Sequence, residues 1–424
     1  MSRSRAVEIA HRVAWGGLLF IIAATPLVIS QNGRDAFRLP KLLFFESATL
    51  IVAAIVAITA LFDESMRQRI LKQRFPLLIA SAAVLWSAIV TMTARHPLVS
   101  HDAPFEAFCY GLFFVMVASL APERGTRSLA FAFLPAIVTS VYAIAQALGL
   151  PTPLIEHDPR VTRAQVVALL GNPNYVGTYL MLPTIAVLAA AMAWMRRWWL
   201  FVIAVLLLAA TAATVTVTAI LAIGAGIVAL VFTTPSKRMR LVAIGCIIAG
   251  MVGLAAFGPA RERAARMASQ FRAGELDAFT SLRLPAFVVA ATMFAERPLV
   301  GVGPGNFAAD YMSYRMRVDE QHPKWVRPDN LTFGEVHNDH LQLLAEGGLP
   351  AYLIFLVLVA RIAWMSFRRC DVEDERYRYV RVLAFPGVVA VFVLALAQFP
   401  LYMASAASTA LFFAGLCFGW EACG

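Results

Sequence analysis

The sequence predicts an all-α, polytopic membrane protein with about twelve transmembrane helices and one large periplasmic loop containing short helices. Hydrophobic residues make up 60% of the 424 residues and charged residues 15%. These values and a mean hydropathy of +0.71 lie outside the usual composition of soluble domains. Apolar runs recur at about the 20 residues needed to cross a hydrocarbon core of ~30 Å. One long stretch, about 257–349, lacks this apolar character.

The apolar runs divide the chain into helices 1 to 9 (residues 1–258), a loop (259–348) and helices 10 to 12 (349–424). The break near Thr216 has the least support, because the two helices there would turn on a very short segment. The first run follows three arginines, as in a signal peptide, but no cleavage site follows it, and we expect a retained helix. The predicted spans are 13–30, 41–62, 75–94, 104–120, 128–150, 174–195, 198–215, 217–234, 240–258, 349–367, 380–398 and 401–420.

The positions of lysine and arginine predict the orientation of the chain. Every second connection is basic, so we expect both termini in the cytoplasm. The connections 31–40, 95–103 and 151–173 and the long loop then lie on the opposite, periplasmic or extracellular face. The basic connections contain Arg67, Arg69, Lys72 and Arg74, Arg124 and Arg127, Arg196 and Arg197, Lys237, Arg238 and Arg240, and the arginines between 368 and 381.

The predicted periplasmic face nevertheless carries many cations. Sixteen of the 36 lysines and arginines and six of the seven histidines map to it. Long loops follow the positive-inside rule only weakly, which accounts for the ten lysines and arginines in the 259–348 loop. It does not account for the lysines and arginines in the short connections. A planar guanidinium pairs phosphate oxygens in a bidentate manner. The excess therefore predicts an anion-binding site on this face.

The first short loop places Arg38 and Lys41 around Pro40, which suits the first turn of a helix. Two cations then meet the positive end of a helix dipole, where they repel one another unless an anion binds. The alternative is that both side chains extend from the helix end to the membrane interface. Arg38 and Lys41 are candidate substrate-binding residues.

The next basic loop contains Arg160 and Arg163, which lie on one side if the stretch is helical because they are three residues apart. A Gly-Asn-Pro-Asn turn (171–174) then breaks the chain before the next span. Asn172 and Asn174 are candidate substrate-binding residues with the two arginines, although the same turn can simply cap the following helix.

In the long loop, a helix is predicted from about 282 to 296, with Thr280 or Ser281 as its cap. Arg283 would lie in the first turn of this helix, where a cation opposes the dipole. We therefore expect Arg283 to have a functional role. Arg266 is a further candidate for binding the anion.

The loop ends in EVHNDHLQLLAEGGLP (335–350), in which a short helix is predicted from about 338 to 346, closed by two glycines. His337 precedes this helix and is the candidate catalytic base. His340 lies one turn further on the same side, and Asp339 can orient an imidazole. The candidates for holding a substrate hydroxyl are Asn338 and Gln342.

Two alternatives apply to these histidines. A metal site would use His337, His340 and either Asp339 or Glu335, but no third ligand has a recognisable spacing and the nearby arginines disfavour a cation. His337 can also be a plain helix cap. The five cysteines form no Cys-x-x-Cys pair. The sequence therefore predicts no metal and no cofactor.

Three of these motifs together resemble the O-antigen ligases and the related O-antigen polymerases and O-oligosaccharyltransferases. They are GNPN (171–174), the SLRL…ERPLVGVGPGNF run (281–307) and VHNDHLQLLAEGGLP (336–350), and the specific similarity covers about 165–360. The resemblance maps the family's essential loop histidine onto His337 and a loop arginine onto Arg283. One departure is visible: many relatives have Ser/Thr-Arg-Gly in mid-domain, whereas Thr216-Val217-Thr218 is followed here by Ala219.

The resemblance implies a membrane glycosyltransferase that moves a finished glycan from undecaprenyl pyrophosphate to a hydroxyl of lipid A-core. Partners would be these two substrates and membrane lipids, without nucleic acid. Arginines would neutralise the pyrophosphate in place of a metal, and a histidine with an ordinary pKa near 6.5 would take the proton of the acceptor. Direct attack by the acceptor would invert the anomeric centre. Polymerase and protein-glycosylating activities remain open.

A transporter or flippase for anionic lipids is the alternative from another class. Such a protein should place charges near the membrane midplane, often in broken helices. The predicted spans contain almost no charges, and Gln146 and Gln398 are their main polar side chains. The pattern therefore favours chemistry at one membrane surface.

Overall fold

The computed structural model confirms the all-helical prediction. It describes residues 3–30, 35–121, 126–155, 166–194, 197–234, 236–238, 240, 241, 244, 245, 248, 258–321, 332–368 and 374–420. Over these residues the chain forms sixteen α-helices and no strand. They are α1 (Arg3–Ala24), α2 (Arg38–Phe62), α3 (Glu64–Lys72), α4 (Arg74–Thr93), α5 (Ala103–Leu120), α6 (Leu129–Ala147), α7 (Pro173–Ala193), α8 (Trp199–Ala213), α9 (Val217–Thr233), α10 (Gly258–Arg272), α11 (Leu276–Phe279), α12 (Leu284–Glu296), α13 (Asn306–Gln321), α14 (Asp339–Met365), α15 (Glu375–Ala395) and α16 (Ala404–Gly419).

Eight stretches of helix among the described residues are long and apolar enough to cross a membrane. They are Val7–Ala24, Arg38–Phe62, Arg74–Thr93, Ala103–Leu120, Thr126–Ala147, Pro173–Ala193, Asp339–Met365 and Glu375–Ala395. The predicted spans 198–215, 217–234 and 401–420 correspond to α8, α9 and α16, which are shorter apolar helices. The predicted span 240–258 lies largely outside the described residues. A total of twelve spans therefore stays a prediction.

Helix α7 lies at the centre of the bundle. Every residue from Val176 to Ala193 is buried, as expected for a helix that is apolar on all sides. Helices α6, α8, α9, α15 and α16 pack around it. Its hydroxyl groups belong to two threonines and two tyrosines, and the Thr184 hydroxyl donates to Leu180 O at 2.7 Å. The packing of α7 fixes both of its ends, one of which adjoins the candidate site described below.

The short turn near Thr216 is confirmed, and hydroxyl groups make it possible. Val215 has a φ of 51°, and the Thr216 N–H donates to the Thr214 hydroxyl oxygen at 3.2 Å. The Thr216 hydroxyl donates to Pro173 O at 3.2 Å. Because these side chains satisfy backbone groups, α8 and α9 can reverse direction within three residues.

One end of the bundle gathers the loop helices and the connection between α4 and α5. The Arg95 N–H donates to Val302 O at 3.0 Å, and the Arg297 guanidinium donates to Thr93 O at 2.8 Å. The loop has its own small apolar core. That core contains Ala286, Val289, Ala290, Met293, Val302, Phe307, Tyr311, Tyr314, Val318, Val336 and Ala345.

Helix α14 joins the loop to the membrane region, and its backbone breaks at Gly348 (φ 68°, ψ −174°). A Cβ atom at this position would lie 2.1 Å from Leu299 O, so only glycine fits. The Leu349 N–H donates to Pro298 O at 2.8 Å. The predicted short helix before the glycines is thus present and continues into the span after the break.

We expect the end of the bundle that carries the loop to face the periplasm. In a cysteine-free background, Ser313→Cys in α13 should react with a membrane-impermeant thiol reagent in cells whose outer membrane is permeabilised. Ser65→Cys in α3, which is exposed at the other end, is the matched control and should react only after inner-membrane lysis. The reverse pattern would overturn the orientation.

Candidate active site

The ring of Phe399 brings four parts of the chain together. Phe399 lies in the segment 396–403, which connects α15 to α16. Its ring centroid is 4.9 Å from that of His337 and 5.6 Å from that of Tyr175, at the start of α7. The Arg38 guanidinium carbon lies 5.6 Å from the same centroid. The loop histidine therefore lies close to the first turns of α2 and α7.

Backbone groups of the segment 396–403 hold two further predicted site residues. The Arg283 guanidinium donates to Ala397 O at 2.7 Å. The Leu401 N–H donates to the Asp339 carboxylate at 2.9 Å. This segment thus fixes Arg283 on one side and the start of α14 on the other.

The imidazole of His337 is half-buried between aromatic rings, Phe399 and Phe333, with the Phe333 centroid 6.0 Å away. Its backbone is left-handed, with a φ of 58°, a conformation in which histidine is enriched among non-glycine residues. Within the described part of the chain, its Nδ1 atom is buried and has no hydrogen-bond partner. The ring is therefore held in place by packing and by the backbone.

Burial, together with the positive charges of Arg283 and Arg38, lowers the pKa of His337 to about 4. Desolvation and nearby cations both disfavour the protonated imidazole. The ordinary pKa near 6.5 expected from the sequence is therefore wrong for the free protein. His337 is neutral at pH 7 and can accept a proton or a hydrogen bond.

Arg38 is positioned by the start of α2. The Asp35 carboxylate accepts hydrogen bonds from the backbone N–H groups of Phe37 (2.9 Å) and Arg38 (2.8 Å) and so caps the helix. The Arg38 guanidinium forms an ion pair with Glu335, two residues before His337. This pair ties α2 to the histidine loop.

A cavity of about 450 Å³ opens beside Arg38, and we call it the polar cavity because several charged and hydroxyl-bearing side chains stand among the apolar residues of its wall. Its wall also includes Lys41, whose ammonium group is buried and donates to the carbonyls of Val28 and Leu169, the latter at 2.8 Å. Lys41 therefore fastens two backbone segments as well as lining the cavity. Other polar lining residues are Asp35, Glu106, Tyr110, Tyr175, Tyr402 and Ser405.

A second, mostly apolar cavity of about 300 Å³ lies between α4, α5 and α14. The two cavities share part of their walls, including Tyr110 and Tyr402. The Tyr402 hydroxyl donates to the Glu346 carboxylate at 3.1 Å. A polar space that adjoins an apolar space in this way suits a ligand with a charged head and a hydrocarbon chain.

Two predicted catalytic residues have other roles. The Asp339 carboxylate binds the backbone of Leu401, so the expectation that it orients an imidazole is wrong. His340 does not share a side with His337, because the helical spacing begins only after His337. Its Nε2 lies 3.0 Å from Phe392 O and its Nδ1 lies 3.2 Å from the Tyr352 hydroxyl.

The predicted amide residues support the backbone. Asn338 accepts a hydrogen bond from the Leu341 N–H at 3.1 Å and caps α14, so the capping role considered for His337 belongs to Asn338. The Gln342 side chain accepts from the Val336 N–H at 3.0 Å and thereby braces the residue before His337.

The GNPN turn caps α7, as one of its two interpretations predicted. The Asn172 side chain accepts from the Asn174 N–H at 2.8 Å. Asn174 itself lies in the first turn of α7, beside Tyr175. The turn places the start of this central helix against Phe399.

The start of α12 differs from its prediction. Arg283 occupies the N-cap position of α12, so its predicted place in the first turn is wrong. Neither Thr280 nor Ser281 caps this helix: the Thr280 hydroxyl donates to Asp277 O at 3.0 Å, and Ser281 has a φ of 58°.

Arg266 lies away from His337. Its side chain lines a cavity of about 230 Å³ with Met267, Gln270, Ala278 and Ser281. Arg160 and Arg163 lie outside the described residues. Arg38 and Arg283 are thus the two predicted anion-binding residues whose charge acts on His337.

Sequence reasoning missed Phe399, Tyr402 and Glu346. The segment 396–403 was divided between the ends of two predicted spans, because its residues are mostly apolar. Gln398 and Pro400 were the available signals for a connection, since a strongly polar side chain and a proline at a span end both favour a turn. The Gln398 amide donates to the Thr218 hydroxyl at 3.1 Å.

Among the described residues, no group of three His, Cys, Asp or Glu side chains lies close enough to hold a metal ion. The side chains considered for a metal site contact different partners: Glu335 pairs with Arg38, Asp339 binds Leu401, and His340 contacts Phe392. The metal alternative has no support in this arrangement.

The fold and the site define a multi-pass helical membrane protein with ionisable groups gathered at one end of the bundle. Residues 202–356 match the family model described as O-antigen ligase. This match confirms the resemblance to the superfamily of O-antigen ligases, O-antigen polymerases and O-oligosaccharyltransferases, whose members act on lipid-linked glycans. No curated protein matches the sequence at a significant level. The matched region includes Arg283 and His337, whereas Arg38 and Phe399 lie outside it.

We expect His337 to titrate near pH 4 in the free protein, and the charge of Arg283 to contribute to that value. In protein labelled with ¹³C-histidine, the His337 signal, assigned by its loss in His337→Gln, should stay in the neutral form down to about pH 5. Arg283→Met should move the midpoint upward. Arg266→Met, the matched control, should leave it unchanged. A midpoint near 6.5 in the unaltered protein would contradict the buried site.

Proposed function

We propose that this protein is an O-antigen ligase, which transfers a polysaccharide from undecaprenyl pyrophosphate to a sugar hydroxyl of lipid A-core during lipopolysaccharide assembly. The observation that carries the proposal is the position of a neutral imidazole, His337, next to Arg38 and Arg283 and near a polar cavity that adjoins an apolar one. The family match supports the class of reaction. The site would face the periplasm of the bacterial inner membrane.

The arginines act on the donor. As the bond between the anomeric carbon and the pyrophosphate oxygen breaks, its electron pair leaves with the pyrophosphate. Guanidinium groups stabilise this developing charge without a metal or other cofactor. Arg38 lines the polar cavity. Arg283 acts electrostatically on His337 and is held by its hydrogen bond to Ala397. The hydrocarbon chain of the donor would occupy the adjoining apolar cavity.

His337 acts on the acceptor. The acceptor hydroxyl oxygen attacks the anomeric carbon from the side opposite the pyrophosphate, which inverts the configuration. The hydroxyl proton passes to the neutral imidazole, and general-base catalysis of this kind typically contributes about 10²- to 10⁴-fold. The unpartnered Nδ1 atom and the packed ring suit an imidazole that is held ready for a substrate.

Donor binding makes His337 a better base. In the free protein, burial and the charges of Arg283 and Arg38 hold its pKa at about 4, which favours the neutral form but makes it a weak proton acceptor. A bound pyrophosphate brings negative charge that opposes the two arginines, and this raises the pKa of the imidazole. The base therefore gains strength when its donor is present.

A transporter is the less favoured alternative. The expectation that the spans contain almost no charges needs correction, since α2 and α5 contain Lys41, Glu46 and Glu106, and α14 contains Arg361. The first three side chains lie within the first three turns from the end that carries the site, and Arg361 lies in the last two turns at the opposite end. Gln146, which accepts from the Ala168 N–H at 2.7 Å, likewise serves a connection at the site end. Charges placed toward the helix ends favour chemistry at a membrane surface over passage through the midplane.

His337→Ala should abolish glycan transfer by purified protein while binding of the lipid-linked donor persists, because the arginines hold the donor and the histidine acts on the acceptor. His340→Ala, the matched control, should lose less activity, since its ring contacts Phe392 and Tyr352 instead. Transfer should continue in the presence of a chelator.

Transfer by His337→Ala within a few-fold of the unaltered protein, with the same pH profile, would exclude His337 as the base. Full loss of activity in chelator, restored by Mg²⁺ or Mn²⁺, would contradict the metal-free mechanism.

A deletion strain distinguishes the ligase from its relatives. Loss of a ligase should leave lipid A-core without polysaccharide alongside finished polymer still on its lipid carrier. Loss of a polymerase should leave single repeat units attached to lipid A-core. Loss of a protein O-oligosaccharyltransferase should leave lipopolysaccharide unchanged and remove glycan from proteins. Gel analysis of lipopolysaccharide and of carrier-linked glycan measures all three outcomes.

A further inference from the structure

A cavity of about 410 Å³ lies at the end of α7 that is remote from His337. Helix α7 begins at Pro173, beside the candidate site, and the cavity is built around Trp194, one residue beyond its last turn. Helices α6 and α8 supply most of the remaining wall. The cavity is therefore separate from both spaces described above.

The side walls of this cavity are apolar and open toward the surroundings of the bundle. Phe131 and Leu134 on α6 are 46% and 54% exposed, and Trp199 at the start of α8 is 45% exposed. Ile137 and Ile203 continue the apolar wall along the two helices. In a membrane, hydrocarbon chains cover such a surface, so the shape of this groove fits an acyl chain.

Two arginines stand at the end of the groove. Arg127 and Arg197 both line the cavity, at the starts of α6 and α8. The Arg197 guanidinium lies 4.8 Å from the centroid of the Trp194 ring. The Arg197 guanidinium lies 3.8 Å from the Glu375 carboxylate, and both side chains are solvent-exposed, so this ion pair is weak.

No acidic side chain is among the described residues that line the cavity. Two guanidinium groups and the positive ends of two helices therefore act on the same space, and none of the described residues in its wall opposes them with a negative charge. Basic pockets between transmembrane helices are suited to anionic lipid head groups. Free phosphate would satisfy the arginines, but it would leave the apolar groove without an occupant.

We infer that this cavity binds an anionic glycerophospholipid, with its phosphate between Arg127 and Arg197 and one acyl chain along Phe131, Leu134 and Ile203. The orientation expected from the basic connections places this lipid in the cytoplasmic leaflet. The site is independent of the proposed transfer reaction. Bound lipid would fill the gap between α6 and α8 next to the central helix.

Native mass spectrometry of the full-length protein, extracted from vesicles of equal phosphatidylglycerol and phosphatidylethanolamine, tests the inference. The unaltered protein should retain phosphatidylglycerol in preference to phosphatidylethanolamine. Arg127→Gln with Arg197→Gln should reduce this retention by about fivefold for each arginine removed, on the usual scale for a cation near an anionic lipid. The matched control, Arg67→Gln with Arg69→Gln, removes two exposed charges from α3 that line no part of this cavity and should lower retention much less than the double variant of Arg127 and Arg197.

A second variant tests the groove with the arginines intact. Ile203→Trp fills the apolar wall and should also lower phosphatidylglycerol retention. Inorganic phosphate at millimolar concentration should not displace the lipid. Equal retention by the unaltered protein and the double arginine variant would overturn the inference, and displacement by inorganic phosphate would show a simple anion site. Normal transfer activity in each variant would show that the protein is folded.

Discussion

The contact between Phe399 and His337 is the constraint on which the candidate site depends. Four segments that are far apart in the sequence meet at this ring, which adds a common packing contact to the ion pair of Arg38 with Glu335 and to the hydrogen bond of Arg283 with Ala397. A ring offers a large apolar surface with few rotatable bonds, so it fixes position at a small entropic cost. The same ring excludes water from the imidazole and so contributes to its low pKa. The contact with Phe399 therefore both positions the His337 imidazole and helps to lower its pKa.

The helices could be predicted from the sequence, whereas the partners of the polar side chains could not. Apolar runs identify spans because a bilayer requires about 20 apolar residues, and Gly348 was predictable as a break because two glycines precede a proline. The role of Asp339 was not predictable, since its partner is a backbone N–H at Leu401, 62 residues further along the chain. His340 was assigned to the wrong side because helical spacing was applied across Asn338, where the helix only begins.

The family match and the contacts in the structure describe different parts of the site. The matched region carries Arg283, His337 and the break at Gly348, which together form the loop and its junction with the membrane. Arg38 and Tyr175 come from helices before that region, and Phe399 follows it. The matched region therefore contains the proposed base, His337, but the surroundings that set its charge also come from helices outside that region. The absence of an arginine after Thr218 fits this view, because Gln398 binds that threonine and Arg38 brings a cation from another helix.

The ion pair between Arg38 and Glu335 has a consequence for selectivity. A cation at the edge of a membrane is surrounded by phospholipids that each carry a phosphate, at concentrations far above that of any scarce carrier lipid. Glu335 already forms an ion pair with Arg38, so an incoming anion must displace this carboxylate. The net binding free energy of the anion is therefore only the amount by which its interaction with Arg38 exceeds that of Glu335. A phosphodiester has a single negative charge, like Glu335, and gains little by the exchange. The pyrophosphate of the proposed donor carries more charge and more acceptor oxygens, so under the proposed function the internal carboxylate would act as a charge filter that favours this donor over abundant lipids.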